Sequence, residues 1–366
     1  MTIEQQVSPQ RRTPNECREA MAKNREWGTV FTDHMVTGLY TPQEGWHDLK
    51  VGPLASFAMH PGAAVLHYGQ AIFEGLKAYT QPDGRVAAFR PQMNAKRFAL
   101  SATRLGMAPL PEELFLDSLS ALVKADREWV PEKYGESLYL RPLMISNDVR
   151  LMTRPSDGYK YILMACPVAD YFPNGIKPVN VWVSREYVRA VRGGVGEAKC
   201  AGNYAASYIA QREAAAHGCD QVVWLDAIDR ETVEEMGGMN VYFIYKKNGK
   251  PLLVTPKTSG SLLKGVTRDT LLTLAGDLGY AAEERKISLS EWQAGCESGE
   301  ILEAFACGTA AVITPIGQVK SDTGQFVVAD GKTGEVTAGL RKALLDLQHG
   351  RAEDKHGWRY PLAGRL

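Results

Sequence analysis

Neither sign of charge is in excess in this chain of 366 residues: Lys+Arg and Asp+Glu both number 42, so the formal net charge is zero. A balanced chain has no global field to draw nucleic acid or an anionic membrane, and neither is expected as a partner. No apolar run approaches the ~18–20 residues that a membrane span needs. The opening "MTIEQQVSPQRRTPNECREA" has no apolar core and carries acidic residues, so it reads as neither a secretory signal nor a transit peptide. Residues 1–27 are taken as a polar, poorly packed extension. The six cysteines, Cys17, Cys166, Cys200, Cys219, Cys296 and Cys307, are scattered without a C-x-x-C pair. In a chain this long, that spacing fits reduced thiols in a cytoplasm, the expected location, and not a disulfide framework. The seven histidines contain no H-E-x-x-H and no cluster at ligand spacing, so no metal site is expected. Internal repeats and low-complexity tracts are absent as well.

What is present is an ordinary globular composition, 45% hydrophobic and 23% charged, in a chain too long for one comfortable core. The segments "SFAMHPGAAVLHY" and "LKAYTQPDGRVAAF" read as strands, the second a hairpin turning at Asp83-Gly84. Residues 91–106 open on proline and close on glycine, a helix signature. Another amphipathic helix covers 111–129, and "SLYLRPLMI" and "YKYILMACPV" are apolar enough for buried strands. "YFPNGIKP" then interrupts with two prolines and a glycine. After it come a strand "VNVWVSR", a helix over 203–217, a strand "QVVWLD", and a hairpin turning at Asn248-Gly249. A helix "VTRDTLLTLAGDLG", two short strands in "EILEAFACGTAAVITPI" and a last helix near 333–348 complete the pattern. The expected organisation is a domain over 28–172, a linker at 173–180 and a second domain over 181–366, both mixed α/β.

Several short stretches offer chemistry, each with an ordinary alternative. In "GEAKCAGNY", Lys199 stands among small residues just before a helix. It is either a solvated lysine at a loop–helix junction or an amine that other atoms can approach. Tyr204 at the helix start fits a core as well as a site. "VEEMGGMN" sets Glu234 and Glu235 ahead of two glycines and an apolar strand, as any turn might be built. The N–H groups of Val266 and Thr267 in "KGVTRD" begin a helix, where a phosphate can bind, although most helix starts hold none. "ACGTAAV" is a small-residue turn that permits close backbone approach or simply bends tightly. "HYGQAIFEGLKAY" could equally be core.

Taken together and in this order, "HYGQAIFEGLKAY", "LYLRP", "KCAGNY", "EEMGGMN", "GVTRD" and "CGTAAV" resemble the fold-type IV pyridoxal-phosphate enzymes, and within them the branched-chain amino acid aminotransferases. The resemblance spans about residues 28–350. It implies a two-domain α/β (α+β) fold with a smaller N-terminal α/β domain and a larger C-terminal pseudo-barrel domain. It implies pyridoxal 5′-phosphate as cofactor, held on the Lys199 amine as a Schiff base, with that amine later moving the substrate proton. Glu235 matches the carboxylate that keeps the pyridine nitrogen protonated. Tyr204 matches the partner of the phenolic oxygen. Arg97 and the N–H groups of Val266 and Thr267 match the phosphate cup, with Cys307 beside it. On the substrate side, Thr309 and Ala310 match the N–H groups for the α-carboxylate. Tyr68, Phe73, Tyr139 and Tyr171 match the side-chain pocket, and Arg141 matches the arginine that takes the distal carboxylate of glutamate. The family's pocket is completed by a loop of a second subunit, so a homodimer is implied. Some mammalian relatives carry a redox C-x-x-C after the "GTA" turn; here those positions are Ala311 and Thr314.

The activity implied is reversible transfer of the amino group of leucine, isoleucine or valine to 2-oxoglutarate. A D-amino acid aminotransferase or an aminodeoxychorismate lyase of the same fold is the nearest alternative. A non-catalytic binding protein that keeps the fold is the alternative from another class.

Overall fold

The computed structural model describes residues 3–23, 27–172 and 175–364. Its chain divides into two compact units, Met1–Tyr171 with Ala198–Ala201 and Asp346–Leu366, and Phe172–Glu197 with Gly202–Leu345. The expected linker at 173–180 lies just past this division, and its first two residues fall outside the described ones.

The first unit carries the strands β1 (Glu4–Gln5), β2 (His34–Thr41), β3 (Gly45–Pro53), β4 (Ala71–Phe73), β5 (Leu76–Thr80), β6 (Val86–Phe89), β7 (Ser137–Ser146) and β8 (Tyr159–Val168). They form one sheet in the order β1-β3-β2-β8-β7-β5-β6, with β4 also pairing β7. Helices α1 (Pro14–Lys23), α2 (Ala64–Tyr68), α3 (Pro91–Arg104) and α4 (Glu112–Ala125) accompany it. The buried stripe of α4 includes Phe115, Leu119 and Leu122, all fully buried, at the helical i, i+4, i+7 spacing.

Two expectations change here. Within the extension expected over 1–27, the described residues 3–23 are mostly exposed but are anchored at two places. Glu4 and Gln5 pair with Lys50 and Val51, and Cys17 of α1 is fully buried. A capping box starts that helix: Thr13 N–H donates to Glu16 Oε2 at 2.7 Å, and Glu16 N–H to Thr13 Oγ1 at 3.4 Å. The stretch read as a strand from residue 56 to 68 is irregular up to the short helix α2. Pro61 has no ladder donor, and Gly69 ends the helix in the left-handed region, φ +62°.

The second unit holds α5 (Ala201–Ala205, whose first residue clusters with the first unit), α6 (Tyr208–Ala216), α7 (Val266–Asp277), α8 (Leu289–Ser298) and α9 (Glu335–Gln348, whose end from Asp346 clusters with the first unit). Its strands are β9 (Val179–Ser184), β10 (Gln221–Leu225), β11 (Val233–Met236), β12 (Met239–Lys247), β13 (Lys250–Pro256), β14 (Ala281–Arg285), β15 (Ile301–Gly308), β16 (Val312–Ser321) and β17 (Gly324–Val327). Their order is β11-β10-β9-β16-β15-β12-β13-β14, with β17 on β16. Because β11 also pairs with β12, six of these strands close into a barrel. Val181, Val223, Met236, Val241, Phe243, Ala306 and Ile316 belong to one buried cluster, contributed by every strand of that ring.

The chain then returns. β18 (Arg359–Ala363) pairs antiparallel with β6, Tyr360 opposite Ala88, which adds a ninth strand to the first sheet among the described residues. The expected assignment of all of 181–366 to the second domain is corrected on this point. His349, in the returning segment, accepts the Gly135 N–H at 3.1 Å and packs between the rings of Tyr79 and Tyr134.

Candidate active site

In the first unit, β4 delivers Phe73 to a short segment containing Lys199. Phe73 N–H donates to the Lys199 carbonyl at 3.0 Å, and Ile72 forms an isolated bridge with Cys200. On its other side the lysine N–H donates to Ser101 Oγ at 2.9 Å, and Ser101 donates to the Arg97 carbonyl at 2.8 Å. The lysine backbone is thus pinned from both directions. Its Nζ lies 4.7 Å from the centroid of the Phe73 ring. The guanidinium of Arg141 lies over the same ring, also at 4.7 Å. One aromatic side chain therefore contacts both basic groups, each gaining from the ring's quadrupole.

Tyr139 and Arg141 are two apart on β7 and share a face, as alternation requires. Arg141 Nη2 donates to the Tyr139 hydroxyl at 2.8 Å, while Arg141 Nε is buried with no protein acceptor. Only glycine fits at position 75, because a Cβ there would overlap the Tyr139 hydroxyl. Tyr68 is not held in this group. It is 42% exposed, and its hydroxyl donates to the Leu151 carbonyl at 2.5 Å. Tyr171 is also exposed.

Arg97 reaches from α3 to Glu74, with Nε to Oε1 at 2.6 Å and Nη2 to Oε2 at 2.9 Å. Glu74 is fully buried. Burial opposes its ionisation, but the charge and hydrogen bonds of Arg97, with a smaller contribution from Lys199, hold the carboxyl below its ordinary range.

In the second unit the two adjacent carboxylates of β11 diverge, as neighbours on a strand do. Glu235 accepts the Leu263 N–H at 2.7 Å and faces Arg189 Nε at 3.1 Å. Glu234 accepts from the hydroxyls of Ser259, at 3.2 Å, and Ser261, and burial pushes its carboxyl up. Both are 2% exposed. Asn240 on β12 donates to the Leu263 carbonyl at 3.0 Å. The loop before α7 is therefore stitched to β11 and β12 through Ser259, Ser261 and Leu263. That loop ends at Gly265, the N-cap of α7, which supplies no side-chain acceptor. The N–H groups of Val266 and Thr267 thus begin a helix whose start lacks a side-chain cap. A Cβ at Gly265 would overlap Asn240 Oδ1, so the residue that could cap has no room.

Cys307 sits opposite Asn240 across β12 and β15, 1% exposed, with burial raising its thiol. Tyr204, on α5, packs its ring edge 3.5 Å from the point where a Cβ on Gly238 would stand. Thr309 and Ala310 occupy the turn between β15 and β16. Val312 closes that turn at φ +63°, a left-handed conformation that a β-branched residue adopts only under strain.

Four residues that this geometry singles out were not among the expected ones: Glu74, Ser101, Arg189 and Asn240. Glu74 stands inside a quoted motif, where a carboxylate between an apolar strand and a glycine was itself a signal. Arg189 had none. Among the described residues no group of three His, Cys, Asp or Glu is placed to hold a metal ion, and no helix is long and apolar enough to cross a membrane.

The family model for class IV amino-transferases matches residues 71–319. A curated branched-chain-amino-acid aminotransferase of Mycolicibacterium smegmatis is 55% identical over 342 residues, covering 93% of each chain. The crystal structure of the Escherichia coli branched-chain amino acid aminotransferase matches with a TM-score of 0.73 at 26% identity, over 90% of this chain and 99% of that one. A further solved branched-chain amino acid aminotransferase, complexed with N-(5′-phosphopyridoxyl)-L-glutamate, matches at a TM-score of 0.70 and 26% identity, over 89% and 98%.

Proposed function

Since the chain belongs to the class IV aminotransferases, we propose that it transfers the amino group of leucine, isoleucine and valine to 2-oxoglutarate, reversibly, with pyridoxal 5′-phosphate as cofactor. The observation that carries this reading is the shared Phe73 ring, with the Lys199 amine and the guanidinium of Arg141, the proposed carboxylate reader, each 4.7 Å from its centroid. The names of the M. smegmatis and E. coli relatives support the branched-chain substrates. The relative solved with phosphopyridoxyl-glutamate supports both cofactor and glutamate.

The donor set fits the cofactor. In the second unit, the start of α7 without a side-chain cap suits a phosphate and the buried carboxylate of Glu235 suits a protonated pyridine nitrogen; in the first, the buried cation of Arg97 is of the kind that binds phosphate. When bound, pyridoxal 5′-phosphate supplies an aldehyde that carries the amino group and a ring that accepts the electrons left at the substrate α-carbon. Lys199 holds the cofactor and then moves the proton to and from that α-carbon. Glu235, aimed by Arg189 and the Leu263 N–H, accepts the hydrogen bond of the pyridine nitrogen. Tyr204 donates to the phenolic oxygen. Arg97 and the N–H groups of Val266 and Thr267 hold the phosphate, and Cys307 belongs beside that cup. The N–H groups of Thr309 and Ala310 bind the α-carboxylate. Phe73 and Tyr139 line the side-chain pocket, and Arg141 pairs with glutamate's distal carboxylate.

The working form is a homodimer. Leu66, Leu151 and Met152 are 60%, 69% and 65% exposed. The segment ending in α2, which carries Leu66, and the loop carrying Leu151 and Met152 are joined by the Ala63–Val149 bridge and by the bond from Arg150 N–H to the Gly62 carbonyl, so they form one apolar surface fit for a second subunit. Tyr68 lies on that surface and Tyr171 is exposed, so both are assigned to the pocket in the dimer. All six cysteines are free thiols, which supports a cytoplasmic location.

A half-reaction screen tests the function. Each L- and D-amino acid is mixed with holoenzyme and the cofactor absorption band is followed. L-leucine, L-isoleucine, L-valine and L-glutamate should convert the band, and the D-enantiomers should not. Conversion by D-amino acids, or by none of the four, refutes the reading.

A further inference from the structure

One buried carboxylate beside the lysine segment has no part in the roles above. Glu74 is fully buried and accepts from four donors: Arg97 Nε at 2.6 Å, Arg97 Nη2 at 2.9 Å, Asn94 Nδ2 at 2.8 Å and the Gly75 N–H at 3.1 Å. Three residues of α3 supply the surroundings. Asn94, Arg97 and Ser101 follow one another at i, i+3 and i+7 and so share a face. That face meets Glu74 through the first two, and Lys199 through the third. A closed circuit results, running from the Lys199 N–H to Ser101, to the Arg97 carbonyl, along Arg97 to Glu74, and through Phe73 N–H back to the Lys199 carbonyl.

We propose that Glu74 is a positioning residue for phosphate recognition: its bidentate grip fixes the plane of the Arg97 guanidinium before the cofactor arrives. The proposal rests on the reading of Arg97 as the phosphate's arginine. A long side chain loses rotamer freedom when it is ordered on a ligand, and a side chain ordered beforehand does not lose it again. Two parallel charge-assisted bonds also set orientation, which one point charge cannot do. Glutamine at position 74 would break this grip at nearly constant volume. All four partners are donors, and an amide offers one acceptor oxygen with an NH2 group turned against the remaining donors.

The test measures cofactor binding to the apoenzyme, by quenching of tryptophan fluorescence and by equilibrium dialysis. Affinities for pyridoxal 5′-phosphate and for pyridoxal are determined for wild type, Glu74→Gln, Glu74→Asp and Arg97→Met. Their ratio reports phosphate recognition alone, and a general loosening of the fold would weaken both ligands together. In Glu74→Gln the preference for the phosphorylated form should fall about 10-fold, the effect of losing one well-made charge-assisted interaction. Glu74→Asp keeps the charge with a shorter reach and should fall less. Thermal unfolding of each apoenzyme establishes that it is folded. Should Glu74→Gln not fold, Glu74→Asp carries the comparison, and an undiminished preference there overturns the proposal. A preference that stays or rises in Glu74→Gln while dropping in Arg97→Met also overturns it, since Glu74 would then compete with the phosphate. A preference unchanged in Arg97→Met removes Arg97 from phosphate recognition, and the proposal falls with that reading.

Discussion

Dual specificity is the sharpest demand on the pocket, and Arg141→Met is the substitution that probes it. Under the proposed function, one pocket must take an apolar branched side chain in one half-reaction and a carboxylate in the other. An apolar wall would reject the carboxylate, because an unpaired buried charge is very costly. Arg141 is placed to resolve the conflict. It rests between the faces of Phe73 and Tyr139, at 4.7 and 5.2 Å, and bonds the Tyr139 hydroxyl. Those contacts hold it when an apolar substrate is bound. Its Nε, buried without a protein acceptor, is suited to a ligand oxygen. Removing one member of a buried charge-assisted pair costs roughly 2–5 kcal/mol, and because Arg141 is only partly buried the lower end applies, about 2–3 kcal/mol or roughly 30- to 150-fold. Methionine keeps the length and apolar bulk, so the isoleucine half-reaction should change by no more than about threefold. Stopped-flow rates for glutamate and isoleucine on one preparation decide the matter. Equal losses for both substrates would mean that Arg141 supports the site as a whole and does not read the glutamate side chain.

Lys199→Ala should abolish turnover while borohydride no longer fixes cofactor to the chain; a labelled peptide after reduction would move the attachment to another lysine. Glu235→Gln should still bind cofactor but transaminate on the order of 10²–10³-fold more slowly, the usual loss for a removed electrostatic partner. Unchanged rates there would transfer the role to Glu234, although its carboxylate is turned to Ser259 and Ser261. Burial, with help from Arg351 and Lys77, depresses the His349 pKa from 6.5 to about 4. Below pH 6.5 the unfolded chain then takes up a proton that the folded chain refuses, so stability present above 6.5 is lost as the pH falls towards 4. In His349→Gln, which can still accept from Gly135, the melting temperature should fall less steeply across that window, and an identical slope would refute the assignment.

The parts legible in the sequence were those fixed by local chemistry. The hairpin of β12 and β13 turns at Asn248 and Gly249, both at positive φ, 52° and 77°, as a two-residue turn of that composition requires. Helices α3 and α4 announced themselves by periodicity and by the proline of α3. The capping box at Thr13 and Glu16 is just as local, but it was not read because the polar surroundings masked it. What could not be read was pairing at a distance. Nothing in "RYPLA" points to β6, and the four residues of β11 are too few to show that they close a barrel by pairing on both sides. The proposed roles divide in the same way. Lys199 and Glu235 belong to quoted motifs, whereas Arg189 becomes visible only when its Nε is found beside Glu235.

Some of the places where local rules are broken lie in or next to motifs assigned to chemistry. Val312 takes a left-handed backbone that glycine would accept without strain, while position 75 demands glycine for space. The strain at Val312 costs on the order of 1–3 kcal/mol and persists only because the paired strands around it over-determine the turn. Glu74, Glu234 and Glu235 are carboxylates nearly or fully removed from water. Each is satisfied by donors that come from a helix face or a loop. Such an arrangement does little for stability alone, since well-packed apolar residues of similar volume are often as stable or more so. It is what a site needs when charge must be fixed in direction before a ligand arrives. The closed barrel supplies the rigidity that allows it in the second unit, where the loop at 259–265 is bonded to β11 and the turn at 309–311 joins the paired strands β15 and β16.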